Sequence, residues 1–336
     1  MVGASGYTGE KLLKILLGHP RVKPSFASSR QYAGRAVADV FPELAAIGEL
    51  QFSEPEPARV AAVAEVAFLA LPHGESAKIA GPLMKAGLAV LDLSADLRIK
   101  DREVYRNYYG IDAPPRELID VAAYGSPETN REAIKKSRLI AVPGCYPTSV
   151  LLGLAPALSA RLLDPASIVV ASASSPTGAG RKVDPAYLFA ECHENMRAYG
   201  VLGHRHTPEM EQELSRVAKE RVTVQFVPHL VPLNVGIHTT TVGTFRGVVL
   251  DQDGVDAIYR DYYFREPFVR VCKGKLPEVR RVAGTNVCEV AARVDKRTGR
   301  LLVFSAEDNL VKGAAGQAVQ CLNVMMGWPE EEGLSL

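Results

Sequence analysis

The sequence predicts an α/β protein in two parts. A parallel sheet covered by helices comes first, and an α+β region with a mostly antiparallel sheet follows. Three observations predict this. Short, wholly apolar runs alternate with helical patterns over the first 145 residues, as strands buried on both faces and their crossover helices do. After about residue 166 the strand-like runs lengthen and several alternate polar with apolar residues, the mark of a sheet wet on one face. The chain has 336 residues, which carries a prior of about two domains and suffices to bury their cores without disulfide staples.

Leu12, Leu13, Leu16 and Leu17 recur at helical spacing directly behind a glycine cluster. Residues 66–71 (VAFLAL) read as a buried strand, 75–85 as a helix, and 88–93 and 138–142 as two further strands. The DAPP segment at 112–115 marks a loop. In the second part 168–171, 222–227, 237–245, 287–294 and 301–305 read as strands, and 208–219 and 254–264 as helices. A last helix over about 311–326 contains GAAG at 313–316, which suits close packing. No internal repeat or low-complexity segment is evident.

Lys plus Arg is 39 and Asp plus Glu is 38, a formal charge of +1. That balance argues against nucleic acid as the main partner, which usually leaves a basic excess. Apolar residues at 47% and charged residues at 23% are ordinary for a globular chain. No apolar run approaches the ~20 residues that span a bilayer, and the first residues lack a signal-peptide layout. The five cysteines are odd in number and none are spaced C-x-x-C. The expectation is a cytoplasmic protein with reduced thiols and no membrane or nucleic-acid partner.

Three motifs carry the chemistry, and smaller segments gain weight from them. GASGYTG at 3–9 is followed at once by a helix. Its Gly3, Ser5, Gly6, Tyr7, Thr8 and Gly9 make a tight turn that lets a diphosphate approach a helix N-terminus, the pattern of a Rossmann-type dinucleotide domain. Only Met1 and Val2 precede Gly3, where a strand of about five residues is needed. The expectation is a very short first strand or a few residues missing upstream. About 20 positions on, where NAD enzymes carry an acid for the ribose hydroxyl, the chain has Ser29 and Arg30. A hydroxyl and a guanidinium suit a 2′-phosphate, so NADP(H) is expected over NAD.

PGCYPT at 143–148 ends a strand, turns, and begins a helix near Thr148. Cys145 is therefore close to a helix N-terminus, where the dipole favours thiolate, and is the expected nucleophile. GHRHTPE at 203–209 places His204 and His206 just before a helix, with Thr207 as its cap and Pro208 as its first residue. One of the two is expected to exchange a proton beside Cys145. An H-x-H pair is also a metal-ligand spacing, but no third ligand is suggested nearby, and no metal is expected. Leu71, Pro72 and His73 end one strand at the sheet's ligand-binding edge, and Ser94 to Arg98 end the next. Arg98 is a candidate for an anionic group of the substrate and Ser94 for a second contact. SSPTGAGR at 174–181 is a Gly-rich loop suited to closing over a site.

Together these motifs closely resemble the N-acetyl-gamma-glutamyl-phosphate reductases of the semialdehyde dehydrogenase family. The resemblance rests on GASGYTG at 3–9, ALPHG at 70–74, DLSADLR at 92–98, PGCYPT at 143–148, SPTGAGR at 175–181, GHRHTPE at 203–209 and DNLVKGAAGQA at 308–318. Ser149 stands where Gly or Ala is expected. The resemblance implies NADP(H)-dependent reduction of an acyl phosphate to a semialdehyde in arginine biosynthesis, with inorganic phosphate released. It implies a dinucleotide domain completed by the C-terminal helix, 1–145 with 310–336, and a catalytic and oligomerisation domain at 146–309. It also implies a homodimer or homotetramer formed through the second sheet, and Asn309 near the nicotinamide. With that chemistry Cys145 forms a thioester, His204 is the first choice for proton transfer, and His206 is the alternate or a substrate contact. The competing readings are the aminoadipyl-phosphate homologue of lysine biosynthesis, aspartate-semialdehyde dehydrogenase, a non-catalytic NADP-binding sensor and a cysteine hydrolase.

Overall fold

The computed structural model describes residues 1–181 and 183–336. The chain divides into two compact units, Met1–Pro143 with Ala314–Leu334, and Gly144–Gly313 with Ser335–Leu336.

The first unit is built on a parallel sheet. Its strands are β1 (Ala27–Ser28), β2 (Phe52–Ser53), β3 (Val66–Leu69), β4 (Ala89–Asp92), β5 (Ala123–Tyr124) and β6 (Leu139–Ala141). β1 pairs with β2, and the order β3-β4-β6-β5 follows, every pair parallel. The first four residues join the two groups. Ser28 N donates to Met1 O and Ala4 N to Ser28 O on one side; Val2 N donates to Phe68 O and Ala70 N to Val2 O on the other. The chain start thus does the work of a central strand, although only Val2 forms a regular bridge, to Leu69.

Helices cover both faces of this sheet. Tyr7–Leu17 buries Leu12, Leu13 and Leu16 in one cluster with Leu91 and Ile140 and with Ala318, Val319 and Leu322 of the C-terminal helix Gly316–Met326. Ser76–Lys85 buries Ala77, Ala80 and Leu83 in a second cluster with Val90 and Leu139. The expected last helix is split: a single π-helical turn, Val311–Ala315, precedes the α-helix. Helices Arg102–Tyr109, Arg116–Val121 and Pro127–Lys136 go beyond the sequence reading. The first carried its own signals, since the Asp101 carboxylate caps Glu103 N and Val104 N and Gly110 ends it at φ 67°.

The second unit holds a seven-stranded sheet. Its strands are β7 (Ile168–Ser174), β8 (Arg197–Ala198), β9 (Val224–Leu230), β10 (Ile237–Thr244), β11 (Val269–Val271), β12 (Cys288–Asp295) and β13 (Arg300–Glu307), in the order β11-β12-β13-β10-β7-β9-β8. Only β11/β12 and β7/β9 are parallel, so the sheet is mostly antiparallel as expected. β7 and β10 alternate buried and accessible residues, which fits a sheet packed on one face.

Against the packed face lies the helix Cys145–Ser159, buried from Tyr146 to Leu158. Pro156 has no N–H for the Leu152 carbonyl. The Tyr263 hydroxyl donates to that carbonyl instead, and Tyr259 OH donates to Gly153 O at 2.8 Å. Ser149 is fully buried, and its hydroxyl has polar company: Thr239 Oγ1 at 3.0 Å and Ser305 Oγ at 2.9 Å. The two strands that receive this helix therefore accommodate a serine where a smaller residue was expected. No helix among the described residues is long and apolar enough to cross a membrane.

Candidate active site

Within the second unit, Cys145 is itself the first residue of its helix, three positions earlier than the sequence suggested. Gly144 is the cap, extended at φ −70° and ψ 154°. Having no side chain, Gly144 cannot cap the helix itself; its own N–H is held from elsewhere, donating to Glu209 Oε1 at 2.8 Å. Cys145 is half-buried and forms no disulfide. Its Cβ lies against Gly313: a Cβ added at Gly313 would stand 2.7 Å from Cys145 Cβ and 2.9 Å from Oε1 of the buried Glu307. A glycine is required there by close approach.

The helix Thr207–Ala218 brings the histidines to this turn. His206 is its cap, Thr207 its first residue and Pro208 its second, one position earlier than the sequence suggested. The His206 ring lies on Gly144, with Nε2 only 2.5 Å from where a Gly144 Cβ would be. His204 sits one step away in an aromatic nest, with ring centroids 5.4 Å from Tyr146, 5.6 Å from Tyr199, 5.2 Å from Phe226 and 5.0 Å from His206. Its Nδ1 accepts from His206 N at 3.1 Å. Burial, followed by the charge of Arg205, lowers the His204 pKa to about 4. His204 is thus neutral near pH 7, with the Nδ1 lone pair already engaged. The sequence put His204 first for proton transfer and His206 as the alternate; the ring that lies against Gly144, the residue before the thiol, is that of His206. Tyr146 OH and Tyr199 OH share a 2.8 Å hydrogen bond behind this pair. Burial raises both phenols, Tyr199 to about 12, and the nearby Cys145 contributes to each shift.

Asn309 follows the end of β13 and is almost fully buried. Its Oδ1 accepts from Gly236 N at 2.6 Å and Ser175 Oγ at 3.1 Å, and its Nδ2 donates to Thr177 Oγ1 at 3.2 Å. It therefore pins the Gly-rich loop, whose 3-10 turn spans Pro176–Ala179.

In the first unit Gly3 adopts φ 82°, and a Cβ there would meet Ala70 O at 2.3 Å, so only glycine fits. Gly9 packs on the Ala4 backbone, while a Cβ on Gly6 would meet nothing within 4 Å. No side chain caps the helix Tyr7–Leu17. Ser5 accepts a hydrogen bond from Ser29 Oγ at 2.9 Å, and Ser29 is buried. The Arg30 guanidinium is exposed and pairs with Glu75 at 3.4 Å. Leu71 and Pro72 border Gly3 and the next turn, where Glu75 N donates to Pro72 O. His73 Nδ1 accepts from Ala95 N at 3.2 Å.

Ser94 and Arg98, read from sequence as substrate contacts, are buried at 2% and 5% exposure. Ser94 Oγ donates to Asp92 Oδ2 at 2.8 Å. Arg98 donates from Nε to Val142 O at 2.7 Å and from Nη2 to Leu93 O at 2.8 Å. Both side chains support the strand ends through these hydrogen bonds. Asp92 is pushed up to about 6 by burial and by Asp96. Asp96 in turn accepts from Gly74 N and Ala77 N, holding the loop before Ser76–Lys85.

A parallel-sheet unit with a glycine turn, joined to a mixed-sheet unit that opens on a helix-tip cysteine, defines a class of dehydrogenase. The comparisons with known proteins agree. The description "Semialdehyde dehydrogenase, NAD binding domain" matches residues 1–137 and "Semialdehyde dehydrogenase, dimerisation domain" matches 145–309. The chain belongs to the semialdehyde dehydrogenase family, and is an oxidoreductase. Among its curated relatives, N-acetyl-gamma-glutamyl-phosphate reductase of Pelobacter propionicus is 48% identical, over 100% of this chain and 97% of that protein. The protein of the same name from Pelotomaculum thermopropionicum is 44% identical, over 100% and 96%. The fold is also that of aspartate semialdehyde dehydrogenase II of Vibrio cholerae, solved in complex with ASA (TM-score 0.75, 19% identity, 97% of each chain). Aspartate semialdehyde dehydrogenase of Candida albicans, solved with NADP, has a TM-score of 0.74 at 16% identity over 97% of each chain.

Sequence reasoning passed over Glu209, Gly313, Glu75 and the Tyr146–Tyr199 pair. Glu209 and Gly313 lay inside motifs already singled out, and what hid them was that their work is done on backbone.

Proposed function

We propose that this chain reduces N-acetyl-gamma-glutamyl phosphate to the semialdehyde with NADPH, in arginine biosynthesis, through a thioester on Cys145. The observation that carries the reading is full-length identity of 44–48% to reductases of that name. A cysteine at a helix tip beside a histidine ring supports it. The unit Met1–Pro143 with Ala314–Leu334 binds NADP(H), and Gly144–Gly313 carries catalysis and self-association as a homodimer or homotetramer; the expected border at 145/146 shifts by two residues so that Cys145 falls with its histidines. The matched dimerisation domain supports the second assignment. The reaction is that of a cytoplasmic enzyme.

The dinucleotide fits the first unit. Gly6 faces open space, the helix behind it has no side-chain cap, and its first-turn amides suit a diphosphate. Gly3, Ser5, Tyr7, Thr8 and Gly9 shape that cradle, Leu71, Pro72 and His73 border it, and Ser29 and Arg30 read the 2′-phosphate. Asn309 orders the loop that borders the nicotinamide.

The Cys145 thiol gives its proton to His206, and the thiolate attacks the acyl carbon. The acyl C–O bond breaks, inorganic phosphate leaves with the electron pair, and a thioester remains. NADPH, when bound, would supply a hydride to the thioester carbonyl, leaving a thiohemiacetal on Cys145. His206 protonates the oxygen, then recovers that proton as the C–S bond breaks and Cys145 is freed. His204 holds the turn through the His206 amide, while Arg98 takes the anionic group of the substrate and Ser94 makes a second contact.

The test is a reverse assay with phosphate and NADP+, comparing N-acetylglutamate semialdehyde with its aminoadipate homologue and aspartate semialdehyde. The first should turn over fastest. Preference for either of the others replaces the substrate assignment. NADPH binding without turnover on any of them leaves a sensor, and turnover without nicotinamide leaves a hydrolase.

Cofactor choice has its own check. Arg30→Ala should weaken NADPH about 10-fold and leave NADH unchanged, since one charge-assisted contact is worth about a decade of binding. Dissociation constants for both cofactors decide it. Equal weakening of the two makes Arg30 a support of its loop.

A further inference from the structure

The turn that aligns nucleophile and histidine is held by a group that the chemistry above does not use. Glu209 is fully buried. It lies three residues after His206, on the same face of the helix start. Its Oε1 takes the Gly144 N–H at 2.8 Å, while the His206 ring fills the place a Gly144 Cβ would occupy. One helical turn thus grips the residue before Cys145 from two sides. Gly144 has no side chain of its own to fix the tip of its helix, and its extended conformation is kept by these contacts.

We infer that Glu209 is a positioning residue: its carboxylate oxygen locks the Gly144 amide, so that the Cys145 sulfur and the His206 ring keep one geometry. It touches neither substrate nor cofactor, and it exchanges no proton in the reaction. The inference rests on the proposed role of Cys145. What matters is an acceptor at the right reach. Reacting groups displaced by about 1 Å lose on the order of a hundredfold in rate, and a charge-neutral acceptor of equal length should largely restore it.

The experiment compares Glu209→Gln, Glu209→Asp and Glu209→Ala in the full-length enzyme, with Cys145→Ser as control. Glutamine keeps the oxygen and its reach; aspartate keeps the charge and falls short by one methylene. The expected result is kcat within about tenfold of wild type for Gln, and lower by roughly a hundredfold for Asp and Ala. KM for NADPH should be unchanged in all three. Cys145 alkylation by iodoacetamide should follow the wild-type pH profile in Glu209→Gln and a displaced one in Glu209→Asp. If Glu209→Ala does not fold, the Gln and Asp pair still decides. Loss in Glu209→Gln equal to that in Glu209→Asp overturns the inference and makes the carboxylate a proton carrier. Near-normal kcat in Glu209→Asp overturns it by showing that the contact is idle. Full turnover in Cys145→Ser removes the nucleophile reading itself, a separate failure.

Discussion

Cys145→Ser is expected to abolish turnover while NADPH binds as before. A serine hydroxyl at the same helix tip is a far weaker nucleophile than a thiolate and a poorer leaving group from the acyl intermediate. Apart from Asn309, the dinucleotide residues proposed here lie in the other compact unit, Met1–Pro143 with Ala314–Leu334, so NADPH affinity is read at residues remote in the fold from the substitution. Cys192→Ser, Cys272→Ser, Cys288→Ser and Cys321→Ser should each keep most activity. Cys288 and Cys321 are fully buried and Cys192 nearly so, the usual fate of a small apolar thiol. Cys272 is half-buried, and burial raises its thiol pKa, with Glu289 adding to the effect, which makes it a poor nucleophile. Single-turnover trapping of an acylated enzyme would show the thioester on Cys145 directly. Activity near wild type in Cys145→Ser would sink the mechanism.

His206→Asn should lower kcat by roughly 10²- to 10⁴-fold, the range for a general acid–base group. His204→Phe should cost less, because that imidazole is held neutral and its Nδ1 serves the His206 amide. A reversed ranking would restore His204 to the proton-transfer role. The nest around His204 also has a consequence for stability. Its pKa falls from 6.5 to about 4 on folding, mainly through burial. Between those values the unfolded chain binds more protons than the folded one, so stability is full above about pH 6.5 and is lost as pH falls toward 4. The shift is worth roughly 3 kcal/mol at ~1.4 kcal/mol per unit. Thermal melts from pH 7 to 4.5 should show that slope in wild type and a shallower one in His204→Phe. Parallel slopes would mean that another group carries the acid sensitivity.

Much of this protein was decided by local sequence. Apolar runs at 66–71 and 88–93 became β3 and β4 because a strand between two helical layers has no polar residue to spare. Alternation along 168–171 and 237–245 became a sheet packed on one face, because side chains on a strand alternate sides whatever their partner. The glycine at position 3 and the cysteine beside a Pro-Gly turn were legible because backbone strain and helix termini are local matters. The tertiary structure decided what depends on distant partners. It brought the Arg98 guanidinium to the Val142 carbonyl, 44 residues away in the chain. It set His204 among Tyr146, Tyr199 and Phe226 and laid the His206 ring on Gly144. It gave Glu209 its Gly144 amide, 65 residues away in the chain. Periodicity and turn chemistry are written in neighbouring residues; desolvation and hydrogen-bond partnership exist only once remote segments have packed, and those two set which titratable group can do the chemistry.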